Sequence, residues 1–190
     1  MVRDVKIGRP EHESLNQDNA VVGALEDVYQ ALKALGTTTV VSCPISPSPI
    51  PGSDSATALE SGDTVGNVFR LAVPKSGVII SATLFDYDDE GTQIDLEIYK
   101  ARIADVAVDA AYAPTDIEGL TFVCELSFVS FDDHGVFQTS QLTNIGQAYT
   151  VSGGFLYFQA VTRSTPTIAA GVPHRIQLQI QSFDPTFKES

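Results

Sequence analysis

Carboxylates are the residues with the clearest potential for chemistry in this sequence. They are densest in the run 86–91, where Asp86, Asp88, Asp89 and Glu90 follow a β-prone segment. Several carboxylates in one loop can bind a hard cation through oxygen, so these four are candidate Ca²⁺ ligands, although their spacing differs from that of an EF-hand. The alternatives are a solvated hairpin turn, which we favour, and general acid–base chemistry by paired carboxylates.

The histidines and potential nucleophiles form no local catalytic motif. His12, His134 and His174 are widely separated along the chain. Ser130 and Asp132 lie close to His134, but that segment has the composition of a turn, which favours these residue types for backbone reasons. We therefore expect no catalytic residues, no metal centre, no cofactor and no enzyme activity.

The two cysteines, Cys43 and Cys124, are too few for a disulfide framework. Cys124 lies in an apolar strand-like run and is expected to be a small buried hydrophobe, with no disulfide to Cys43. The N-terminus is not followed by an apolar signal core, which indicates a protein of a reducing compartment.

Composition restricts the classes of partner. The chain has 190 residues, of which 43% are hydrophobic, and its 11 basic and 24 acidic residues give a net charge of −13. Nucleic acids and anionic membranes are bound through clustered Lys and Arg, so this balance argues against both. No apolar run reaches the length of about 18 residues that a transmembrane helix needs.

The N-terminal part is predicted to be an arm followed by one helix. Residues 1–15 lack apolar periodicity and have a basic tip, so Arg3, Lys6 and Arg9 are candidate contacts to an acidic partner. Residues 16–36 are predicted to form the helix, whose apolar residues have heptad spacing. This spacing favours a self-associating seam, and an amphipathic helix that lies on its own domain is the alternative. The seam residues are Val21, Leu25, Val28, Leu32 and Leu35.

Residues 37–63 are predicted to separate the helix from everything that follows. They begin with a short β-prone run, 37–42, and continue with the proline-rich run 43–52. Proline fixes φ and removes a backbone donor, so this run is expected to be an extended polyproline spacer. A PxxP ligand is the rival interpretation, which no flanking basic residue supports.

Residues 64–190 are predicted to form a mainly β domain. No segment with helical periodicity lies between the strands to cross a parallel sheet, so the strands should be antiparallel. We predict a β-sandwich or jelly roll of about seven or eight strands, with one core and solvated outer faces. The predicted strands are 65–73, 77–86, 93–100, 120–129, 136–140, 147–152, 154–162 and 174–183.

A set of short phrases in this β-domain is distinctive. They are SGVIISA at 76–82, DYDDEG at 86–91, IDLEIY at 94–99, AYAPTD at 111–116, NIG at 144–146 and YFQAVTRSTPT at 157–167. These phrases resemble one family of structural proteins of tailed bacteriophages. The resemblance covers most of the β-domain and none of the arm or helix.

The resemblance implies a viral protein of the bacteriophage virion, namely a head decoration or cement protein with a trimeric jelly roll on the capsid exterior. The implied partners are the major capsid protein and two further copies of the chain, and synthesis would take place in the host cytoplasm. The family has no catalytic or metal residues to carry over. One alternative is a carbohydrate- or receptor-binding β-sandwich of a phage fibre or tail, which the absence of Trp weakens. Another is a jelly-roll enzyme of the cupin kind, which the scattered histidines disfavour.

Overall fold

The computed structural model describes residues 22–26, 39–55, 57–184 and 186–188. The chain divides into two compact units, Met1–Thr37 and Thr38–Ser190. In the first unit, residues 22–26 are helical (α1). None of the helices within the described residues is long and apolar enough to cross a membrane.

The second unit is built from antiparallel strands and one helical turn. The strands are β1 (Thr39–Pro49), β2 (Phe69–Ala72), β3 (Ser76–Asp86), β4 (Ile94–Tyr99), β5 (Phe122–Phe128), β6 (Asp132–Asp133), β7 (Gln138–Thr150), β8 (Phe155–Thr162) and β9 (Arg175–Ser182), and the helical turn is α2 (Asp116–Gly119).

The strands form a nested antiparallel ribbon that is folded over on itself. β4 pairs with β5, β3 with β7, β2 with β8 and β1 with β9. Further pairs, β3 with β9 and β4 with β8, close the ribbon into two sheets with the orders β1-β9-β3-β7-β6 and β2-β8-β4-β5. This double Greek-key order is that of a jelly roll, and the predicted fold class is confirmed.

The core lies between the two sheets, where every second residue of each strand points inward. In β9, Ile176, Leu178 and Ile180 are fully buried, and Gln residues alternate with them on the outer side. From the opposite sheet, Phe158 stacks on Phe69 with ring centroids 5.2 Å apart. The regular alternation of β9 in the sequence thus corresponds to a strand with one face in the core.

The prediction that residues 37–63 are a spacer outside the β-domain is wrong. β1 occupies most of the proline-rich run and pairs with β9, and Cys43, Ile50 and Leu59 belong to the core. Proline is tolerated here because β1 is an edge strand, so a missing N–H leaves no ladder partner unsatisfied on the outer side. The ladder is irregular between Cys43 and Ser48, where the Gln177 side chain donates hydrogen bonds to the carbonyls of Pro44 and Ile45.

Two further expectations about the strands differ from the structure. The short strands predicted at 136–140 and 147–152 are parts of the single strand β7, which is irregular around Asn144 and Gly146, both at positive φ. The acidic run 86–91 is also not a hairpin turn, because it connects β3 to β4 in the other sheet. In the first case the turn-forming residues lie at an irregularity within one strand, and in the second they lie at a crossover between the two sheets.

The centre of the outer face of the four-stranded sheet is covered, whereas outward side chains of the flanking strands, such as Arg70 on β2 and Glu125 on β5, are exposed. Asp95 and Tyr99 point outward from β4, yet they are only 4% and 1% exposed. Residues 62–65 pair with the end of β8 at the sheet edge, and residues 107–112 contact the outer side, where the Tyr112 hydroxyl lies 2.7 Å from that of Tyr99. They are joined by hydrogen bonds such as that from the Thr64 hydroxyl to the Ala107 carbonyl at 2.7 Å. The expectation of two solvated outer faces is therefore wrong for the centre of this sheet.

Both cysteines are thiols, and they lie in different sheets. Cys43, placed in the spacer by the sequence prediction, is buried in the core, whereas Cys124 on β5 is only partly buried. Burial raises the pKa of the Cys124 thiol to about 11.

Candidate functional site

The acidic run leaves β3 at one end of the sandwich. Asp86 follows Leu84 in the two-residue alternation of the strand, so it faces inward and is fully buried. Its Oδ1 accepts a hydrogen bond from the backbone N–H of Asp88 at 2.9 Å, and its Oδ2 accepts one from Gly91 at 2.8 Å. The buried carboxylate therefore holds the backbone of the acidic run in place.

His174 lies against this carboxylate, immediately before β9. Its Nε2 is 3.3 Å from Oδ1 of Asp86, and the residue is 2% exposed. Burial lowers the pKa of His174, and the negative charges of Asp86 and Asp88 oppose this shift. Its Nδ1 has no hydrogen-bond partner among the described residues. The lowered pKa favours the uncharged form of the ring.

Ser53 brings a hydroxyl to the same place, so the residue types match those of a hydrolase triad. The geometry differs from a triad, because Oγ of Ser53 accepts a hydrogen bond from the backbone N–H of His174 at 2.9 Å. The hydroxyl in turn donates to the carbonyl of Ile50 at 2.9 Å. All three side chains are nearly inaccessible, so the cluster joins three chain segments rather than presenting a nucleophile. The three residues are far apart in the sequence, which gave no local signal of their contact.

Two other carboxylates of the acidic run, those of Asp88 and Glu90, bind backbone amides of the β8–β9 connection. Oδ2 of Asp88 accepts from the N–H of Ala169 at 2.9 Å, and Oε2 of Glu90 accepts from Thr167 at 3.2 Å. Burial is the main cause that raises the pKa of Glu90. In the described part of the chain, no group of three or more His, Cys, Asp or Glu side chains is placed to hold a metal ion. The four candidate Ca²⁺ ligands are thus not brought together as a cation site.

Composition indicated a turn for the segment with Ser130, Asp132 and His134, but Asp132 belongs to the short strand β6, and only His134 lies in the tight connection of β6 to β7. The N–H of His134 donates to the carbonyl of Phe137 at 3.0 Å, and the His134 ring lies 4.8 Å from that of Phe137. The His134 Nε2 atom is 3.0 Å from the hydroxyl of Thr139. The imidazole is engaged within the turn and on β7.

A cavity of about 440 Å³ opens between β1 and the β8–β9 connection. Tyr87 supplies an exposed aromatic wall that is supported by the ring of Phe137 at 5.5 Å. The Arg175 guanidinium lies 5.9 Å from the centre of the Tyr87 ring and donates to the carbonyl of Pro47 at 3.2 Å. The sequence analysis missed Tyr87 and Arg175, and the only signal was an aromatic residue inside an acidic run. The lining residues are Ser46, Pro47, Tyr87, Gly171, Val172, Pro173 and Arg175.

The outward side of the five-stranded sheet forms a contrasting surface. Register and alternation place one side chain from each of β9, β3 and β7 in three successive rows, and β1 adds one side chain to two of these rows. Among the described residues, none of the side chains in these rows is charged, although the chain carries a net charge of −13. We call this surface the uncharged face. It consists of Val40, Ser42, Gln177, Gln179, Gln181, Val78, Ser81, Thr83, Gln141, Thr143 and Ala148.

One further row of outward side chains lies next to one end of the uncharged face, and only its first and last residues are charged. Phe85 on β3 is paired with Arg175 on β9 and with Thr139 on β7, and Thr139 is paired with Asp132 on β6. Arg175 and Asp132 are therefore three strand spacings apart, roughly 14 Å, and carry opposite charges.

Most residues that were predicted to mediate contacts of the N-terminal part lie outside the described residues. These are the candidate capsid contacts Arg3, Lys6 and Arg9 and the seam residues Val21, Val28, Leu32 and Leu35. Leu25 lies in α1 and is 63% exposed.

Comparisons of the chain with protein-family models, with curated proteins and with solved structures found no match.

Proposed function

We propose that the protein is a non-enzymatic decoration protein of a tailed-bacteriophage head, which binds the assembled capsid from outside and stabilises it. The observation that carries this proposal is the division of the chain into a jelly roll, Thr38–Ser190, and a separate N-terminal unit, Met1–Thr37. In our proposal the jelly roll covers the shell surface, and the N-terminal unit supplies the attachment. The distinctive phrases of the β-domain support the same class of protein.

The use of the polar side chains supports a structural role. The most conspicuous cluster, around Asp86, Asp88 and Glu90, is bonded to backbone amides of two connections. Ser53 and His174 are bonded to each other through the backbone in the same end of the sandwich. These contacts fix loops, which suits a rigid module on a particle surface.

The proposed attachment uses the basic tip of the N-terminal unit. Arg3, Lys6 and Arg9 would contact an acidic surface of the major capsid protein, and the contact should weaken as salt rises. Self-association through the heptad seam as a homotrimer would multiply these contacts, because one bound copy raises the effective concentration of the others.

Truncated variants test whether the N-terminal unit supplies the attachment to the capsid. Variants that lack residues 1–15 or 1–37 are added to capsids assembled without the protein, and binding is measured by co-sedimentation. We expect both variants to keep β-rich circular dichroism and to lose binding. Full binding by the variant that lacks residues 1–37 would place attachment on the jelly roll and contradict the proposal.

A third truncation tests where the β-domain begins. Removing residues 1–63 also deletes β1, Ile50 and Leu59, so the exposed edge of β9 and an open core should abolish folding. A folded product that lacks residues 1–63 would show that β1 is dispensable for the sandwich.

A second candidate function, carbohydrate or receptor binding by a fibre or tail protein, is favoured by the cavity next to Tyr87. Its volume lies within the range of ligand pockets, and an exposed aromatic wall with an adjacent guanidinium can stack against a sugar ring and orient a polar group. A glycan array probed with the native protein and with Tyr87→Ala discriminates the two functions. Glycan binding that Tyr87→Ala abolishes, together with failure to bind capsids, would favour this candidate.

A further inference from the structure

We propose that a cavity beside the edge strand β2 binds the phosphate group of a small ligand. The cavity has a volume of about 350 Å³ and is lined by Val68, Phe69, Arg70, Arg102 and Tyr157. This volume is at the low end of the range for small-molecule sites. The inference does not rest on the proposed function, because it concerns the full chain and a ligand in solution, without capsids.

The strand register brings two arginines to this cavity from different segments of the chain. Arg70 on β2 pairs with Tyr157 on β8, and Tyr157 pairs in turn with Tyr99, the last residue of β4. Arg102 follows Tyr99 by three residues, in the connection that leaves β4. The two arginines therefore line one cavity because of the sheet order, and their positions in the sequence give no sign of it.

The guanidinium of Arg70 is held in place without a polar partner. It lies 4.3 Å from the centre of the Phe155 ring, which is its diagonal neighbour on the same face of the sheet. It makes no hydrogen bond or ion pair within the described residues, although the chain has 24 acidic residues. Stacking thus orients the group and leaves its N–H donors open to an anion.

Arg102 and Tyr157 add further donors to the cavity. Nη2 of Arg102 donates to Oδ2 of Asp105 at 2.6 Å, and its other N–H groups have no partner among the described residues. The side chains of this ion pair are 66% and 60% exposed, so the pair is weak and a stronger anion can displace Asp105. The Tyr157 hydroxyl makes no hydrogen bond in the described part of the chain. None of the described residues that line the cavity is acidic.

Two guanidinium groups at one cavity favour a phosphate over a carboxylate. A guanidinium binds the oxygens of either group bidentately. A phosphomonoester carries a charge of about −1.5 to −2 at pH 7 and three acceptor oxygens, which matches two cations and a hydroxyl, whereas a carboxylate carries a single charge. The net charge of −13 opposes a polyanion such as a nucleic acid, which favours a small ligand. Val68 and Phe69 provide an apolar wall for its carbon atoms.

Isothermal titration calorimetry of the full chain at low salt tests the proposal with glycerol phosphate, inorganic phosphate and glycerate. We expect glycerol phosphate to bind, with an affinity that falls as salt rises, and glycerate to bind at least about tenfold more weakly. Tighter binding of glycerol phosphate than of inorganic phosphate indicates an ester as the ligand, and equal binding indicates the free ion. Either result supports a phosphate site.

Substitutions of the two arginines place the binding at this cavity. Arg70→Met and Arg102→Met should each weaken the binding of glycerol phosphate by at least about tenfold, because a hydrogen bond to a charged group is worth that factor or more. Arg70→Lys keeps the charge and lacks the planar fork, so its affinity should lie between those of Arg70→Met and the native chain. The matched control is Arg175→Met, which removes the same charge at the cavity next to Tyr87 and should bind like the native chain.

A variant of the competing carboxylate should have the opposite effect. Asp105→Asn removes the ion pair with Arg102, so it should strengthen the binding of glycerol phosphate by about two- to fivefold. The control is Asp89→Asn in the acidic run, which changes the net charge equally and should bind like the native chain.

Several outcomes would overturn the proposal. They are a native chain that does not bind glycerol phosphate, glycerate that binds as tightly, and equal losses in Arg70→Met and Arg175→Met, which would indicate a response to overall charge. A DNA oligonucleotide that binds through Arg70 and Arg102 more tightly than glycerol phosphate would assign the cavity to a nucleic acid and reject the small ligand. If Arg70→Met fails to fold by circular dichroism, Arg102→Met in the exposed connection still decides between the outcomes.

Discussion

The outward faces of the two sheets differ in whether their polar side chains have partners within the chain. On the four-stranded sheet, Asp95 and Tyr99 are covered by connecting segments, and each has a partner within the chain: Arg163 binds Asp95, and the Tyr99 hydroxyl donates to Glu97. On the five-stranded sheet, the side chains of the uncharged face are neutral, and the hydroxyls of Ser81 and Thr83 have no partner among the described residues. The centre of the first face is covered by its own chain, although Oδ1 of Asp95 and Oε1 of Gln159 are buried there without a hydrogen-bond partner among the described residues. The uncharged face is not covered in this way.

The largest expected effect is on the covered face, at the ion pair of Arg163 with Asp95. Arg163→Met leaves a carboxylate that is 4% exposed without its cation, and we expect a loss of about 3 kcal/mol in the free energy of unfolding. Urea unfolding at low protein concentration measures it. Arg175→Met, beside the uncharged face, is the control and should cost less than about 1 kcal/mol.

A second variant separates the loss of the ion pair from a loss of packing. Adding Asp95→Asn to Arg163→Met removes the unpaired charge, so part of the lost stability should return. A double variant that is as unstable as the single one would show that the Arg163 side chain acts through packing.

Acid should destabilise the buried cluster at the end of the sandwich through His174. Burial lowers the pKa of His174 in the folded chain below the ordinary value of 6.5, so the unfolded chain binds the proton more readily. Its contribution to stability is complete above pH 6.5 and is lost as the pH falls, with a slope of up to about 1.4 kcal/mol per pH unit. Asp86 and Asp88 face the ring and reduce the size of this effect.

Chemical denaturation between pH 7.5 and pH 5 tests this expectation. His174→Gln should flatten the slope, and His134→Gln, at the surface, should retain it. If the native slope persists in His174→Gln, other groups cause the acid sensitivity.

Alkali should affect the covered face through Tyr112. Burial is the main cause that raises the pKa of Tyr112 to about 12, and its hydroxyl lies 2.7 Å from that of Tyr99. The folded chain therefore keeps this proton longer than the unfolded chain, and the associated stability is lost as the pH rises from 10 to about 12. Tyr112→Phe should cost about 1 kcal/mol at pH 8 and reduce the alkaline slope, whereas Tyr157→Phe should leave the slope as it is. An unchanged slope in Tyr112→Phe would mean that its hydroxyl is solvated.

The fold class could be predicted because strand periodicity is a local property. The Ile–Gln alternation of β9 and the Ile–Asp–Leu–Glu run of β4 mark strands directly. Local sequence did not predict β1, because proline argues against a strand unless the strand lies at a sheet edge. Whether a strand lies at an edge depends on the topology of the whole sheet. Local sequence failed for Asp95 and Tyr99 as well, because alternation shows which residues point outward and not what covers them.

The candidate site was less predictable for a related reason. The acidic run was visible, but its partners Thr167, Ala169 and His174 come from a segment distant in the sequence. The uncharged face was equally hidden, because its rows combine residues of four strands and become a surface only when the register is known.

The smallest expected effect is on the uncharged face, and it is the most direct test of the contrast. Thr83→Val removes a hydroxyl that has no partner in the described part of the chain and keeps the β-branched shape that strands favour. The free energy of unfolding of the dilute chain should therefore change by no more than about 0.5 kcal/mol. The matched control is Thr162→Val. Thr162 is fully buried, and its hydroxyl accepts from the Ser164 N–H and donates to the carbonyl of either Gln93 or Ser164, so this variant should cost about 1–2 kcal/mol. Equal losses at the two positions would mean that Thr83 is already satisfied within its own chain, and the uncharged face would then be as complete as the covered one.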